Sequence, residues 1–500
     1  MKRLKRNLFS SVVFVFWLVT TVAGAAETET DYLAILLKDQ KIGHAVHIRS
    51  VEDNKVTTTE RFSMTLGRGG QAVTVSSQET HIESTDGKPL GFELSMTTSG
   101  IEQKTIGTVK DGTVTVSRQV MGQAQQQTAS WPEGALLSEG MRILQEEKGL
   151  ETGTAYEVLV FRPDMLSAVT AQVVVGEKKD VDLFGVLTPL TEVQTVMSIQ
   201  GEEISMTGYV DEDLKVKKTQ VPMLNMTLTM IACDKAFAMQ EDDIVDFLDK
   251  LSIASPVKLM NLPKAESGEY LLEPTGEKEL ELVESSSQSV QQTPEGIRVT
   301  VTKIKPENPV AFPYPGDDPE ALEALKATDY LQSNDPTIIE MAKTAVGDTK
   351  DALEAGRQIE AFVDGYIVQK DLSVGYASAS EVARNRQGDC SEHAVLVAAM
   401  CRAVGIPARI VCGVVYADSF LSKQSIFGGH MWTEIYLDGQ WVGLDATRSE
   451  QGFGPGYIAL SYGNGEPTDF FSLINTLGYF KIKSITLDTK KVTPEPVSVQ

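Results

Sequence analysis

A chain of 500 residues is too long for one ordinary hydrophobic core and implies several domains. With 42% hydrophobic and 23% charged residues, its composition is that of a soluble globular protein. The formal net charge of −24 argues against a polyanionic partner, because its field repels nucleic acid and an anionic membrane surface alike.

The first residues combine a basic start, an apolar stretch from Leu8 to Val22 and the small residues Ala23, Gly24 and Ala25. This pattern reads as a secretory signal peptide over 1–25, with a mature chain beginning at Ala26 in the periplasm or outside the cell. Nothing later is long and apolar enough to span a bilayer, so no stable membrane span is expected after cleavage. Export permits disulfides, but four cysteines in this length are not a disulfide framework. Cys401 and Cys412 are read either as a bridge or as two buried thiols.

From about Asp31 to Met239 short alternating segments rich in Thr, Val and Phe are broken by turn signals such as Asp86-Gly87 and Asp111-Gly112. That is antiparallel sheet with one wet face. The expectation is an N-terminal β-rich domain at 26–150 and a second β-rich region at 151–305, as two modules or one long curved sheet. His44, His47 and His81 fall there and read as surface or satisfied strand histidines. A proline-rich connector follows at 306–319. Beyond it the period turns helical, in "DPTIIEMAKTAVG" and "KDALEAGRQIEAFVDGYIVQ". A separate α+β domain is placed at 320–485, with a tail at 486–500.

Within that domain stands "GDCSEHAVLVAAMCRAVGIPAR". Asp389 followed by Glu392 is a capping box, which makes Cys390 the first residue of a helix that is apolar on almost every side and stops at Gly405. Unpaired N–H groups at the helix start favour a thiolate, Asp389 and Glu392 oppose it by like charge, and the sulfur therefore needs a basic partner. His393 lies on the same helix and reads equally well as a structural hydrogen-bonder. His430 opens "GGHMWTEIYLDGQWVGLDATR", two strands joined at Asp438-Gly439. With that turn Leu437 faces Gln440 and Trp432 faces Asp445, which sets His430 diagonal to Asp445 on one face. Cys390, His430 and Asp445 then form a nucleophile, a base and an orienting acid. A metal site built from Cys390, His393 and Cys401 has poor ligand spacing, and neither metal nor cofactor is expected.

These two motifs resemble the core of the transglutaminase-like superfamily, a papain-related set of cysteine acyltransferases and proteases, over roughly residues 320–480. The approach "ASASEVARNRQGDC" resembles secreted bacterial members. The resemblance implies an α+β fold in which an N-terminal antiparallel β-rich region precedes a papain-like core, a central helix packed on an antiparallel sheet. It assigns Cys390 as nucleophile, His430 as base and Asp445 as third member. The tryptophan that animal transglutaminases place upstream of the nucleophile has no counterpart here, since the tryptophans are Trp17, Trp131, Trp432 and Trp441 and none lies between the connector and Cys390. Oxyanion stabilisation then falls to the Cys390 N–H and a donor among Tyr376, Asn385 and Gln387. No calcium loop is recognisable, so calcium regulation is not carried over.

The segment 417–429 is read as a mobile rim carrying Phe427 over the cleft, hinged at Gly428 and Gly429, or as an ordinary surface connection. The expected function is an exported thiol enzyme that acts on amide or peptide bonds of a protein or peptide substrate through a thioester. Hydrolysis is favoured slightly over transfer to an amine. The alternative is a catalytically silent binding or assembly protein, and the sequence leaves the oligomeric state open.

Overall fold

The computed structural model describes residues 28–488 apart from the stretches 69–70, 99–100, 121–122, 200–201, 224–225, 247–251, 276–279, 371–376, 421–422 and 466–475. The segment 1–25 that reads as a signal peptide, Tyr376 and the residues beyond Asp488 lie outside the described residues. The chain divides into two compact units, Met1–Asp246 and Phe247–Gln500.

The first unit is one 15-stranded sheet. Its strands are β1 (Thr28–Leu37), β2 (Gln40–Glu52), β3 (Lys55–Arg68), β4 (Gln71–Ser84), β5 (Pro89–Thr98), β6 (Ile101–Lys110), β7 (Thr113–Val120) and β8 (Gln123–Ser130). Helix α1 (Ser138–Lys148) separates these from β9 (Ala155–Arg162), β10 (Ser167–Leu183), β11 (Val186–Ile199), β12 (Glu202–Val210), β13 (Val216–Met223) and β14 (Met226–Cys233). The short α2 (Lys235–Ala238) follows, and β15 (Val245–Asp246) adds in parallel to β3. The spatial order runs from β8 down to β1, then β14 down to β9.

Two-residue turns set this meander. Lys38-Asp39, Asp53-Asn54 and Asp111-Gly112 hold positive φ at both central positions, which matches the twist of the flanking strands. Register then follows from alternation: in β10 Val169, Ala171, Val173 and Val175 are buried while Thr170, Gln172 and Val174 are exposed. After β8 the chain reaches the opposite end of the sheet, where Leu136 N–H donates to Leu159 O (2.8 Å) and Phe161 N–H to Leu136 O (3.0 Å). A cluster of Phe92, Val114, Val116, Ala135, Leu137 and Phe161 fills the curl, with Trp131 stacked on Phe161 at 4.2 Å. The strands before and after residue 150 thus belong to one sheet, the single-sheet arrangement of the two expected, and they fall in one compact unit.

The second unit holds the helices and two further sheets. β17 (Ser267–Pro274), β18 (Gln288–Thr293) and β19 (Gly296–Thr302) pair with the distant β24 (Phe480–Asp488) in the order β18-β19-β17-β24. Strands assigned from sequence to a second β-rich region, and residues 486–488 assigned to a tail, therefore belong to this unit. The reason is that β17 finds its partner across more than two hundred residues, a pairing that local periodicity cannot report.

The other sheet contains β16 (Ser252–Ala254), β20 (Ala408–Phe420), β21 (Lys423–Leu437), β22 (Gln440–Leu444) and β23 (Tyr457–Gly463), in the order β16-β21-β20-β23 with β22 on β21. The proline-rich segment packs on this unit. Val310 N–H donates to Asp351 Oδ2 (2.9 Å), and Tyr314 N–H donates to Gly405 O (2.8 Å).

Helices α3 (Pro319–Glu323), α4 (Pro336–Val346), α5 (Ala352–Tyr366), α6 (Ala379–Asn385) and α7 (Cys390–Ala403) complete the unit. Asp318, Asp335 and Asp351 cap the first three, each accepting first-turn N–H groups. In α7 every residue from Ser391 to Arg402 is buried. Each large aliphatic side chain there contributes about 1.5–3 kcal/mol by leaving water, so this helix forms the centre of the unit.

Candidate active site

The capping box expected at the head of α7 is present. Asp389 Oδ1 accepts from Ser391 N–H (3.0 Å), and Glu392 Oε2 accepts from Asp389 N–H (2.9 Å). The other Glu392 oxygen accepts from Ala377 N–H (3.0 Å), which ties the approach segment to the helix start. Cys390 is accordingly the first helical residue, half-buried, with all four cysteines present as thiols. Burial pushes the Cys401 thiol well above its ordinary value, so that sulfur is inert.

β21 presents its two faces to different partners. Thr433 Oγ1 donates to Ala394 O of α7 (2.9 Å), one helical turn from Cys390. Gly356 of α5 approaches the same face so closely that a Cβ there would lie 2.8 Å from Ile435 Cδ1. His430 and Trp432 face the other way, against Tyr457, with ring centroids 6.1 Å and 5.3 Å from it. Gly413 makes room for Trp432, because a Cβ there would sit 2.7 Å from its Cη2.

The hairpin has the expected register. Leu437 pairs with Gln440 and the ladder ends at Thr433 with Leu444, while Asp438 and Gly439 both take positive φ. Asp445 follows at the sheet margin, where the helical side and the His430 side meet. Its N–H donates to Glu360 Oε1 of α5 (2.6 Å), while its carboxylate turns to His430, with Nε2 to Oδ2 at 2.7 Å. Oδ2 also accepts from Tyr457 Oη (2.8 Å), and Oδ1 from Thr447 N–H (3.0 Å) and Oγ1 (2.6 Å).

Burial alone would raise the Asp445 pKa. The attraction of His430 and the bonds from His430, Thr447 and Tyr457 outweigh it and hold the carboxyl far below its ordinary value. An ionised Asp445 only accepts, so His430 Nε2 carries the proton and Nδ1 is the basic atom. Among the described residues the hydrogen bond found for the His430 ring is the one through Nε2. Two of the three predicted residues are therefore in contact, and Cys390 heads the helix packed against the strand that carries the second.

Sequence reasoning missed Tyr457, Glu360 and Thr447. Thr447 stands two places from Asp445 and was within reach of a turn argument. Tyr457 and Glu360 arrive from β23 and α5, and no local pattern announces them. Asn385 is exposed at the end of α6, and Gln387 sits in a bridge with Gln369. The rim expected at 417–429 is instead the β20–β21 hairpin. Val415 pairs with Gly428 and Val414 with Gly429, and Phe427 is buried between Tyr270 and Tyr416 at 5.6 and 5.5 Å. An alternating run outweighs the two glycines there. Among the described residues no group of three His, Cys, Asp or Glu side chains is arranged to hold a metal ion.

The second unit thus holds a helix-borne cysteine and a His–Asp pair, with His430 on β21 and Asp445 directly after β22. Residues 339–446 match the family model of the transglutaminase-like superfamily core, so the second unit carries a transglutaminase-like core within an α+β chain. No curated protein matches the chain.

Among solved structures it is similar to a candidate cysteine protease from Cytophaga hutchinsonii, with 18% identity over 44% of this chain and 83% of that one at a TM-score of 0.28. It is also similar to a β-barrel-like protein of a domain of unknown function from Brucella abortus, with 14% identity over 43% and 98% at 0.33. A third similarity is to a candidate protease from Parabacteroides distasonis, with 10% identity over 72% and 69% at 0.19. Superpositions this loose do not define a shared fold, and the assignment rests on the family match and the site.

Proposed function

We propose that the protein is an exported thiol enzyme that cleaves amide or peptide bonds of a protein or peptide substrate through a thioester on Cys390. The observation that carries this reading is the His430 Nε2–Asp445 Oδ2 bond of 2.7 Å, which leaves His430 Nδ1 as a base on the strand that packs against the Cys390 helix. In the reaction His430 Nδ1 takes the Cys390 proton, and the sulfur attacks the carbonyl carbon. The C–N bond breaks as the amine or ammonia leaves with that proton. In this reading the Cys390 N–H, in the first turn of α7, donates to the oxyanion. Water then frees the acid, and an amine in its place gives transfer. Water's far higher concentration favours hydrolysis. The reading requires Cys390 Sγ and His430 Nδ1 to meet in the substrate complex, at the margin of the sheet where Asp445 sits. Export is supported by the basic, apolar and small-residue order of residues 1–25.

The test is iodoacetamide labelling of the mature chain at several pH values, followed by acyl release from a glutamine-containing peptide. Rapid labelling of Cys390 below pH 7, lost in His430→Ala together with turnover, supports the reading. Sluggish labelling that is identical in both proteins, with no turnover, identifies a silent binding protein instead.

A further inference from the structure

One turn beyond Cys390 the same helix buries a second imidazole. His393 is 1% exposed, and its Nδ1 lies 2.6 Å from the Asp389 carbonyl oxygen. A carbonyl oxygen only accepts, so Nδ1 bears the proton and Nε2 presents a lone pair. That lone pair is buried and meets no donor among the described residues. Leaving a buried acceptor unmet costs about 1–3 kcal/mol, and in folded proteins such atoms are met by water or by a ligand. Three positions on from Cys390, the His393 ring shares that side of the helix. Lys370, Asp364, Asp389 and Asp445 are the charged groups that act on it, so it lies within the field of the site's own acid. Burial, first among the influences on it, lowers its pKa and keeps it in the neutral, accepting form.

We propose that His393 Nε2 holds the acyl acceptor, water in hydrolysis, against the thioester on Cys390. This rests on the acyl-enzyme reading above and adds a residue to its second half. One O–H of the water donates to His393 Nε2, and the other proton passes to His430 Nδ1 as the oxygen bonds to the carbonyl carbon. The C–S bond then breaks, the sulfur leaves as a thiolate beside protonated His430, and the carboxylic acid departs.

The test is burst kinetics with p-nitrophenyl acetate, in which the burst reads acylation and the steady state reads thioester hydrolysis, with acyl-enzyme followed by intact mass. His393→Asn keeps an amide N–H for the Asp389 carbonyl and leaves nothing at the Nε2 position, whereas His393→Gln restores a polar atom there. The expected result is a burst in both variants, with steady-state turnover in His393→Asn slowed about 10- to 100-fold, acyl-enzyme accumulating, and partial recovery in His393→Gln. The inference is overturned if His393→Asn hydrolyses its acyl-enzyme at the wild-type rate, or if burst and turnover fall by one common factor in both variants. Absence of any Cys390-dependent burst in the wild type overturns the acyl-enzyme reading itself, a different result from either of these.

Discussion

Both units bury a histidine against a carboxylate, and the two pairs do opposite things. In the first unit His81 Nε2 meets Glu79 Oε1 at 2.5 Å, and its Nδ1 meets Ser138 Oγ at 2.8 Å, so both nitrogens are engaged. In the second, His430 meets Asp445 through Nε2 and keeps Nδ1 without a described partner. The carboxylates differ as well. Burial, aided by the nearby Asp164, pushes the Glu79 pKa well up, whereas the Asp445 carboxyl, satisfied at both oxygens, is held far down. A closed pair locks a sheet, and a half-open pair with a firmly ionised acid is equipped to move a proton. Adjacency of His and Asp or Glu is therefore a poor marker of chemistry, and the count of unmet ring nitrogens is a better one.

The contrast is broken most sharply by deleting the open pair. Cys390→Ala and His430→Ala are each expected to lower turnover by roughly 10⁴-fold or more with the fold intact, measured as acyl release alongside circular dichroism. Asp445→Asn is expected to cost on the order of 10³- to 10⁴-fold, because an amide donating to Nε2 forces the proton onto Nδ1. Glu79→Gln in the closed pair should leave turnover per folded molecule unchanged, and any comparable loss would erase the distinction drawn here.

Tyr457→Phe removes one of four bonds to the Asp445 carboxylate and should slow turnover only about 5-fold, roughly 1 kcal/mol, with substrate affinity kept. The smallest effect is a titration. Burial drives His81 down to about 4, against the opposing pull of Glu83 and Glu60, so its imidazole resonance should still report a neutral ring at pH 5. Because the folded value lies below the unfolded one, the His81 contribution to stability is full above the ordinary imidazole range and is lost as pH falls from about 6.5 towards 4.

The site was legible where chemistry is local. The capping box around Cys390 and the two-residue turn at Asp438-Gly439 each dictate geometry within a few residues, and together they fix the diagonal of His430 and Asp445. The domain division was not legible, because alternation looks the same in every sheet and says nothing of which strand is the neighbour. β17 reads like β10 but pairs with β24. Glycines misled at 428–429, where pairing with β20 fixes the backbone that their freedom suggested would hinge. Tyr457 escaped because its hydroxyl reaches Asp445 from β23, a strand that does not adjoin β22.

The pairing of β17 with β24 joins strands that stand on either side of the Cys390, His430 and Asp445 segments in the chain. A fragment trimmed to 339–446 would retain Cys390, His430 and Asp445 yet leave out β16, which borders β21, and the four-stranded sheet whose Tyr270 packs on Phe427. During synthesis the upstream strands must wait for the residues near 480–488 to leave the ribosome before their sheet can close, so this unit cannot reach its finished form until those residues have been made.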